Sequence, residues 1–207
     1  MKASDTFWDS AADKYARKPV GDEAAYAKTL ERTSSHLAPK DHVLEVGCGT
    51  GTTALKLAPL VAEITGTDIS GRMIEIATEK ANEQNIPNVR FAKETTETLL
   101  AQDARFDVVT AFNMLHLMEA PAQTVHQIHD LIKPGGLFIS KTPCLAEKMK
   151  FLRPIIWVMQ KIGMAPMVHF IGYVELDDMM RDAGFEIIES GVYPTKTGSR
   201  FLVAKRR

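Results

Sequence analysis

The run Glu45-Val46-Gly47-Cys48-Gly49-Thr50-Gly51 constrains the fold more than any other stretch of the chain. It follows a short apolar stretch, His42 to Val46, that predicts a strand. It precedes Thr52 to Leu60, whose apolar period predicts a helix. Glycines at alternate positions in such a turn let backbone N–H groups come close to a ligand, because no Cβ stands between. Strand, tight turn and helix also open a βαβ unit, so the feature points to a parallel sheet.

The rest of the chain keeps that alternation. Strands are expected at Glu63 to Thr67, Val89 to Ala92, Phe106 to Phe112 and Leu137 to Lys141, and helices at Gly71 to Asn85 and Ala122 to Ile132. Two amphipathic helices come before them, Asp5 to Arg17 and Asp22 to Leu37. The first places Phe7, Ala11, Ala12 and Tyr15 on one face. After the fifth strand the rhythm breaks. Leu145 to Phe170 is rich in Met, Ile and Leu and is interrupted by Pro154, Gly163 and Pro166. A helix, Glu175 to Ala183, then leads to strands Phe185 to Val192 and Arg200 to Ala204, joined by a turn at Pro194 to Ser199 that pairs them antiparallel.

A chain of 207 residues suits one ample core. The expected organisation is one domain, 1–207: cap helices to 40, a cofactor-binding core over 41–142, a helical insertion over 143–174, and the last helix and hairpin over 175–207. A net charge of -1 gives no footprint for a polyanion, so no nucleic acid partner is expected. Neither an export signal nor a membrane-length apolar run is seen, and the two cysteines stand far apart, which together predict a cytoplasmic protein.

The glycine spacing narrows the ligand. A dinucleotide fingerprint needs glycine or alanine at position 52, where Thr52 stands, and the phosphate loop ending in Gly-Lys-Ser/Thr is absent. The stretch Glu45 to Gly51 resembles the first motif of class I S-adenosylmethionine-dependent methyltransferases, small-molecule or lipid branch. The likeness continues through Asp68-Ile69-Ser70, Phe106-Asp107-Val108-Val109 and Leu131-Ile132-Lys133-Pro134-Gly135-Gly136. It implies an α/β fold, a doubly wound, mainly parallel seven-stranded sheet with a reversed last strand. It also implies S-adenosyl-L-methionine as cofactor and an in-line transfer of its methyl group to a small or lipid-like acceptor.

The same likeness implies a set of cofactor-binding residues. Gly47, Cys48, Gly49 and Gly51 form the loop, and Glu45 holds it and the amino acid end of the cofactor. Asp68, followed by Ile69 and Met73, takes the ribose hydroxyls. Adenine falls to Glu94-Thr95, or one register on to Thr95-Thr96. Asn113 follows the fourth strand, beneath the methyl group, and Tyr15 either closes over the cofactor or packs in the core. His116 is either an acid–base residue or a packing histidine, and with Tyr15 it is the candidate for catalysis.

Structural readings stand beside these. Cys48 is a loop-packing residue rather than a reactive thiol, and no metal is expected, since His126 and His129 lack a third ligand. The insertion carries an apolar stripe, Leu152, Ile155, Ile156, Met159 and Ile162, among Lys148, Lys150, Arg153 and Lys161. It serves as a lid over an apolar acceptor pocket, as a peripheral membrane contact through 145–170, or as a dimer interface. Two other functions remain open at this point, a non-catalytic binder of the same cofactor and a nicotinamide-dependent oxidoreductase. The acceptor, its reacting atom and the oligomeric state are not legible.

Overall fold

The computed structural model describes residues 4–195 and 198–207. Met1 to Ala3, and Lys196 and Thr197 of the expected hairpin turn, lie outside the described residues. The chain opens with α1 (Ser4–Arg17) and α2 (Glu23–Ser34). Asp22 stands just before α2 rather than in it, and its carboxylate accepts the Ala25 N–H at 2.9 Å. The helix stops short of Leu37 because the chain tightens there, His36 N–H donating to Thr33 and Leu37 N–H to Ser34.

The alternating core follows as β1 (His42–Val46), α3 (Thr52–Leu57), β2 (Glu63–Asp68), α4 (Gly71–Glu83) and β3 (Val89–Lys93). After α5 (Thr96–Ala101) come β4 (Phe106–Phe112), α6 (Pro121–Leu131) and β5 (Ile132–Pro143). Helix α5 has no counterpart among the expected elements. Six residues are too few for a periodic signal, and a reciprocal cap between Thr95 and Thr98 starts it. Strand β5 begins five residues before the expected Leu137, because Ile132 already pairs with Phe106 before the register shifts to Val108 and Leu137.

The seven strands form one sheet in the order β3-β2-β1-β4-β5-β7-β6, where β6 is Phe185–Val192 and β7 is Ser199–Arg206. β7 runs antiparallel to both neighbours, β5 and β6, and the other pairings are parallel. The reversed last strand expected from the hairpin is thus present. β1 lies between β2 and β4, so the chain leaves it in one direction and returns on its other side. The carboxyl ends of β1 and β4 therefore border an open crevice, where ligands of such sheets bind.

Alternation along the strands builds two cores. Leu44, Val109, Ala111 and Phe138 pack with Leu99 of α5, Val125 and Ile128 of α6, and Leu176 and Met180 of a later helix over Tyr173–Asp182. Val43, Ile64, Val108 and Ile139 pack with Ala54 and Leu57 of α3 on the opposite face. Between β5 and β6 run α7 (Leu145–Lys148), a 3-10 turn at Lys150–Leu152, α8 (Arg153–Lys161) and α9 (Tyr173–Asp182). The expected apolar stripe on α8 is divided. Leu152, Ile156 and Met159 are half-buried, whereas Ile155 and Ile162 are 55% and 63% exposed. Among the described residues, no helix is long and apolar enough to cross a membrane.

Candidate functional site

The glycine loop sits at the carboxyl end of β1, and three of its residues take left-handed backbone: Gly47, Gly49 and Gly51 have φ of 68°, 53° and 73°. Space is as restrictive as conformation. A Cβ on Gly47 would come within 2.6 Å of Met114 Cγ, and one on Gly51 within 2.6 Å of Phe91 Cζ. Only glycine keeps the loop open here. Cys48, buried beneath it, donates its N–H to Thr67 at 2.9 Å, and burial among Glu45 and Asp68 pushes its thiol well up. That is a packed, protonated sulfur.

Two carboxylates flank the loop. Glu45 is 3% exposed on β1, between Gly66 of β2 and Thr110 of β4. The Ala54 N–H favours its charged form, yet Oε2 has no partner among the described residues. Burial, with a smaller push from Asp68, raises its pKa to about 8. Asp68 ends β2, and its oxygens accept the Gly49 N–H at 3.0 Å and the Ser70 N–H at 2.9 Å. Burial raises its pKa against the pull of those bonds. Asp68 therefore ties the loop while keeping lone pairs for another donor. Two buried acids this close to an open loop make a cradle that a cationic group would complete by favouring their charged forms.

Tyr15 reaches this cradle from α1. It is half exposed, but its ring edge lies 3.9 Å from where a Gly49 Cβ would be, and edge-on to Trp8 at 6.4 Å between ring centroids. Burial first, then Asp68 and Glu45, hold its phenol protonated. Met73 is sequestered instead, 2% exposed and packed with Ala12 and Ile76 under α1. Its neighbour Ile69 is half-buried beside Asp68.

After β3 the two registers differ in what they leave free. The Thr95 hydroxyl accepts the Thr98 N–H as a helix cap at 3.3 Å, and the Thr96 hydroxyl donates to Gln127 at 2.7 Å. Glu94 is held at one oxygen by Gln102 at 3.2 Å, and its buried Oε2 has no partner among the described residues. After β4, Asn113 is exposed with a left-handed φ of 56°, pinned by its N–H to the Lys141 carbonyl at 2.7 Å. His116, in a 3-10 turn at Leu115–Leu117, has a buried Nδ1 without a partner among the described residues, and burial with His169 nearby lowers its pKa to about 4. Among the described residues no group of three or more His, Cys, Asp or Glu could hold a metal ion.

The profile of a methyltransferase-domain family matches residues 19–190, which is most of the chain. The chain belongs to that family. Over 105 residues it is 39% identical to a ubiquinone biosynthesis O-methyltransferase of Albidiferax ferrireducens, a match covering 49% of this chain and 42% of that protein. A protein of the same description from Cereibacter sphaeroides is 32% identical over 152 residues, 71% of this chain and 61% of the relative. The chain thus spans about half the length of these curated relatives. The magnesium protoporphyrin IX methyltransferase of Synechocystis, solved with bound SAH, superposes with a TM-score of 0.76 over 99% of this chain and 98% of that one. At 22% identity this is a likeness of fold. None of these supports the nicotinamide alternative.

The structure also brings to the site residues that the sequence does not point to. Asp9 of α1 accepts the Ser70 hydroxyl at 2.6 Å and the Arg72 N–H at 3.2 Å. Lys80 of α4 braces the loop from outside, donating to the Thr50 carbonyl at 3.2 Å and to the hydroxyls of Thr50 and Thr52 at 3.0 and 3.3 Å. His169, from the segment after α8, donates its backbone N–H to the His116 carbonyl at 2.7 Å. Each contact joins residues far apart in sequence, and no local pattern announces it.

Proposed function

We propose that the chain is an S-adenosylmethionine-dependent methyltransferase acting on a small-molecule acceptor. One observation carries the reading: the buried Oε2 of Glu45, without a partner among the described residues, beside a glycine loop that a Cβ on Gly47 or Gly51 would crowd. A carboxylate so placed fits an ammonium donor, and S-adenosylmethionine has one at its amino acid end. Its sulfonium adds a second positive charge to a cradle already acidic through Glu45 and Asp68. Asp68 takes the ribose hydroxyls in charge-assisted bonds. Glu94, with its free oxygen, takes the adenine amine, and Tyr15 covers the amino acid end. Asn113 borders the methyl group from β4. The bound cofactor supplies an electrophilic methyl group activated by sulfonium.

The chain's own work is then placement and exclusion of water. An acceptor atom held about 3 Å from the methyl carbon, in line with the sulfur, gains roughly 7–11 kcal/mol from orientation alone. The insertion over 145–170 supplies the cover. Its inner residues Leu152, Ile156 and Met159 turn toward the body of the protein. Its outer apolar side chains, with Lys148, Lys150 and Arg153, suit an acceptor drawn from an anionic lipid surface.

Calorimetry tests the cofactor reading, with micromolar binding of S-adenosylmethionine or its demethylated product expected. Tight NAD binding with neither of these bound would overturn it. A labelled-methyl screen over phenols, amines, thiols, quinone precursors and phospholipids then separates an enzyme from a silent binder.

A further inference from the structure

Lys141 is sunk into β5, 8% exposed, and among the described residues no carboxylate forms an ion pair with it. Its Nζ donates to the Thr29 hydroxyl of α2 at 3.0 Å. That hydroxyl donates in turn to the Ala25 carbonyl at 2.7 Å, so it meets the ammonium with a lone pair. An ammonium has three donors, and Thr29 is the one hydrogen-bond partner of Lys141 Nζ among the described residues. Burial lowers the pKa of Lys141, and Asp22 raises it by less. The Asp22 carboxylate is engaged elsewhere, accepting the Ala25 N–H at 2.9 Å. A buried charge is as a rule paired, and one that the fold leaves alone calls for a partner from outside.

The strand register shows where that partner would stand. Lys141 pairs with Phe112, the last residue of β4, and its carbonyl accepts the Asn113 N–H at 2.7 Å. It is therefore level with the carboxyl end of β4, next to the residue that borders the methyl group in the reading above. Two positions beyond Ile139, it shares the sheet face that packs on α3. Helix α2 spans from there to the glycine loop. Tyr26, one turn before Thr29 on the same helix face, brings its hydroxyl to 3.2 Å from that of Thr53 in α3. Burial, then the nearby Glu45 and Tyr15, raise its pKa against the pull of the Thr53 bond. One face of α2 thus runs from an acid on the cofactor's side to a cation beyond it.

We propose that Lys141, positioned by Thr29, anchors a carboxylate carried by the methyl acceptor. The inference rests on the methyl-transfer reading above and concerns what the acceptor carries, not which of its atoms is methylated. The donors left on the ammonium match the two oxygens of a carboxylate, and the charges cancel. A phosphate dianion would keep an uncompensated charge beside a single lysine, and an amine would meet repulsion. The cofactor has a carboxylate of its own, but its amino acid end belongs over the loop that follows β1. Strand β5 is two strands away from β1, about 10 Å across the sheet.

The test uses the full chain with S-adenosylhomocysteine, and benzoate, benzamide and benzylamine as probes. Benzoate is expected to bind about tenfold more tightly than either of the others. The Lys141 ε-carbon resonance, assigned by its loss in Lys141→Arg, should move with benzoate and stay still with benzamide. Lys141→Met should erase the preference for benzoate and leave S-adenosylhomocysteine affinity within about twofold, whereas Lys141→Arg should keep most of it. A resonance of the parent chain that ignores benzoate overturns the subsite, even where the Met variant fails to fold. Equal binding of benzoate and benzamide overturns it too, as does a preference that survives Lys141→Met. A large loss of S-adenosylhomocysteine affinity in that variant would give Lys141 to the cofactor's carboxylate and end the proposal. Failure of the parent chain to bind S-adenosylhomocysteine sinks the methyl-transfer reading and the subsite together, whereas binding of that compound with benzoate ignored sinks the subsite alone.

Discussion

Glu45 shows what a single residue contributes before any ligand arrives. Its pKa of about 8, against 4.5 for an unperturbed glutamate, means that the folded protein holds a proton there that the unfolded chain gives up. Stability is therefore lost as pH rises from 4.5 toward about 8, because the unfolded chain gains from ionising there while the folded state still holds its proton. A bound ammonium reverses the preference and releases the proton. From about pH 5.5 to about pH 7, where an α-amino group stays protonated, affinity for S-adenosylhomocysteine should rise up to about tenfold per pH unit. Glu45→Gln should flatten that slope, weaken binding and raise the melting temperature of the free protein at pH 8. Calorimetry in buffers of different ionisation enthalpy reads the released proton directly. A slope unchanged in the variant would mean that the ammonium lies elsewhere.

Among the elements, α8 asks most to be explained. Its inner residues, Leu152, Ile156 and Met159, are half-buried, while Phe151, Ile155, Val158 and Ile162, at helical spacing, are 71%, 55%, 51% and 63% exposed. Lys161 lies over the Trp157 ring at 5.6 Å and Arg153 over Phe170 at 5.3 Å, so its cations flank rather than cover that outer stripe. The two sides make separable predictions. Ile156→Asp should impair turnover far more than cofactor binding. Ile155→Asp with Val158→Asp should abolish sedimentation with phosphatidylglycerol vesicles and spare turnover of a soluble acceptor. Sedimentation that survives the double variant would remove the lipid surface from the account.

The strands and most helices were legible because each carries its own period and its own punctuation. The loop residues Gly47, Gly49 and Gly51 were legible because their backbone demands show as residue type. Helix α5 was hidden by its length, and the division of the α8 stripe by the fact that a helical period reports a face and not what covers it. His169 could not be read at all. Its meaning depends on a turn 53 positions earlier in the chain, which only the fold brings to it.

At the scale of the whole molecule, the two N-terminal helices are attached in different ways. α2 is fastened to the far edge of the sheet. Arg32 Nε donates to Glu189 of β6 at 2.7 Å, and His36 Nε2 meets the same carboxylate at 2.7 Å. Arg32 holds that carboxyl down at about 2, so the tie stays charged over the whole physiological range. α1 rests on α4 through a small apolar contact, Ala12 with Met73 and Ile76. Polar bonds at its rim complete the seat, Ser70 to Asp9 at 2.6 Å and Arg72 to Asp13 at 2.9 Å.

This asymmetry is expected to set a residence time for the proposed cofactor. On the proposed placement of the cofactor, Tyr15 of α1, whose ring edge lies 3.9 Å from the Gly49 Cβ position, would let a molecule beneath it leave when that helix lifts about the stretch from Lys18 to Gly21. The rim bonds are the catch, and the ion pair among them is open to solvent, where salt weakens it. Stopped-flow dissociation of S-adenosylhomocysteine should quicken severalfold between about 0.05 M and about 0.5 M salt, while association changes less. Arg72→Ala should be fast at every salt concentration, and an off-rate indifferent to both would mean that the exit lies elsewhere. If the catch governs, spent cofactor departs at the pace of a swinging helix, and the ionic strength around the protein meters how often the site is cleared.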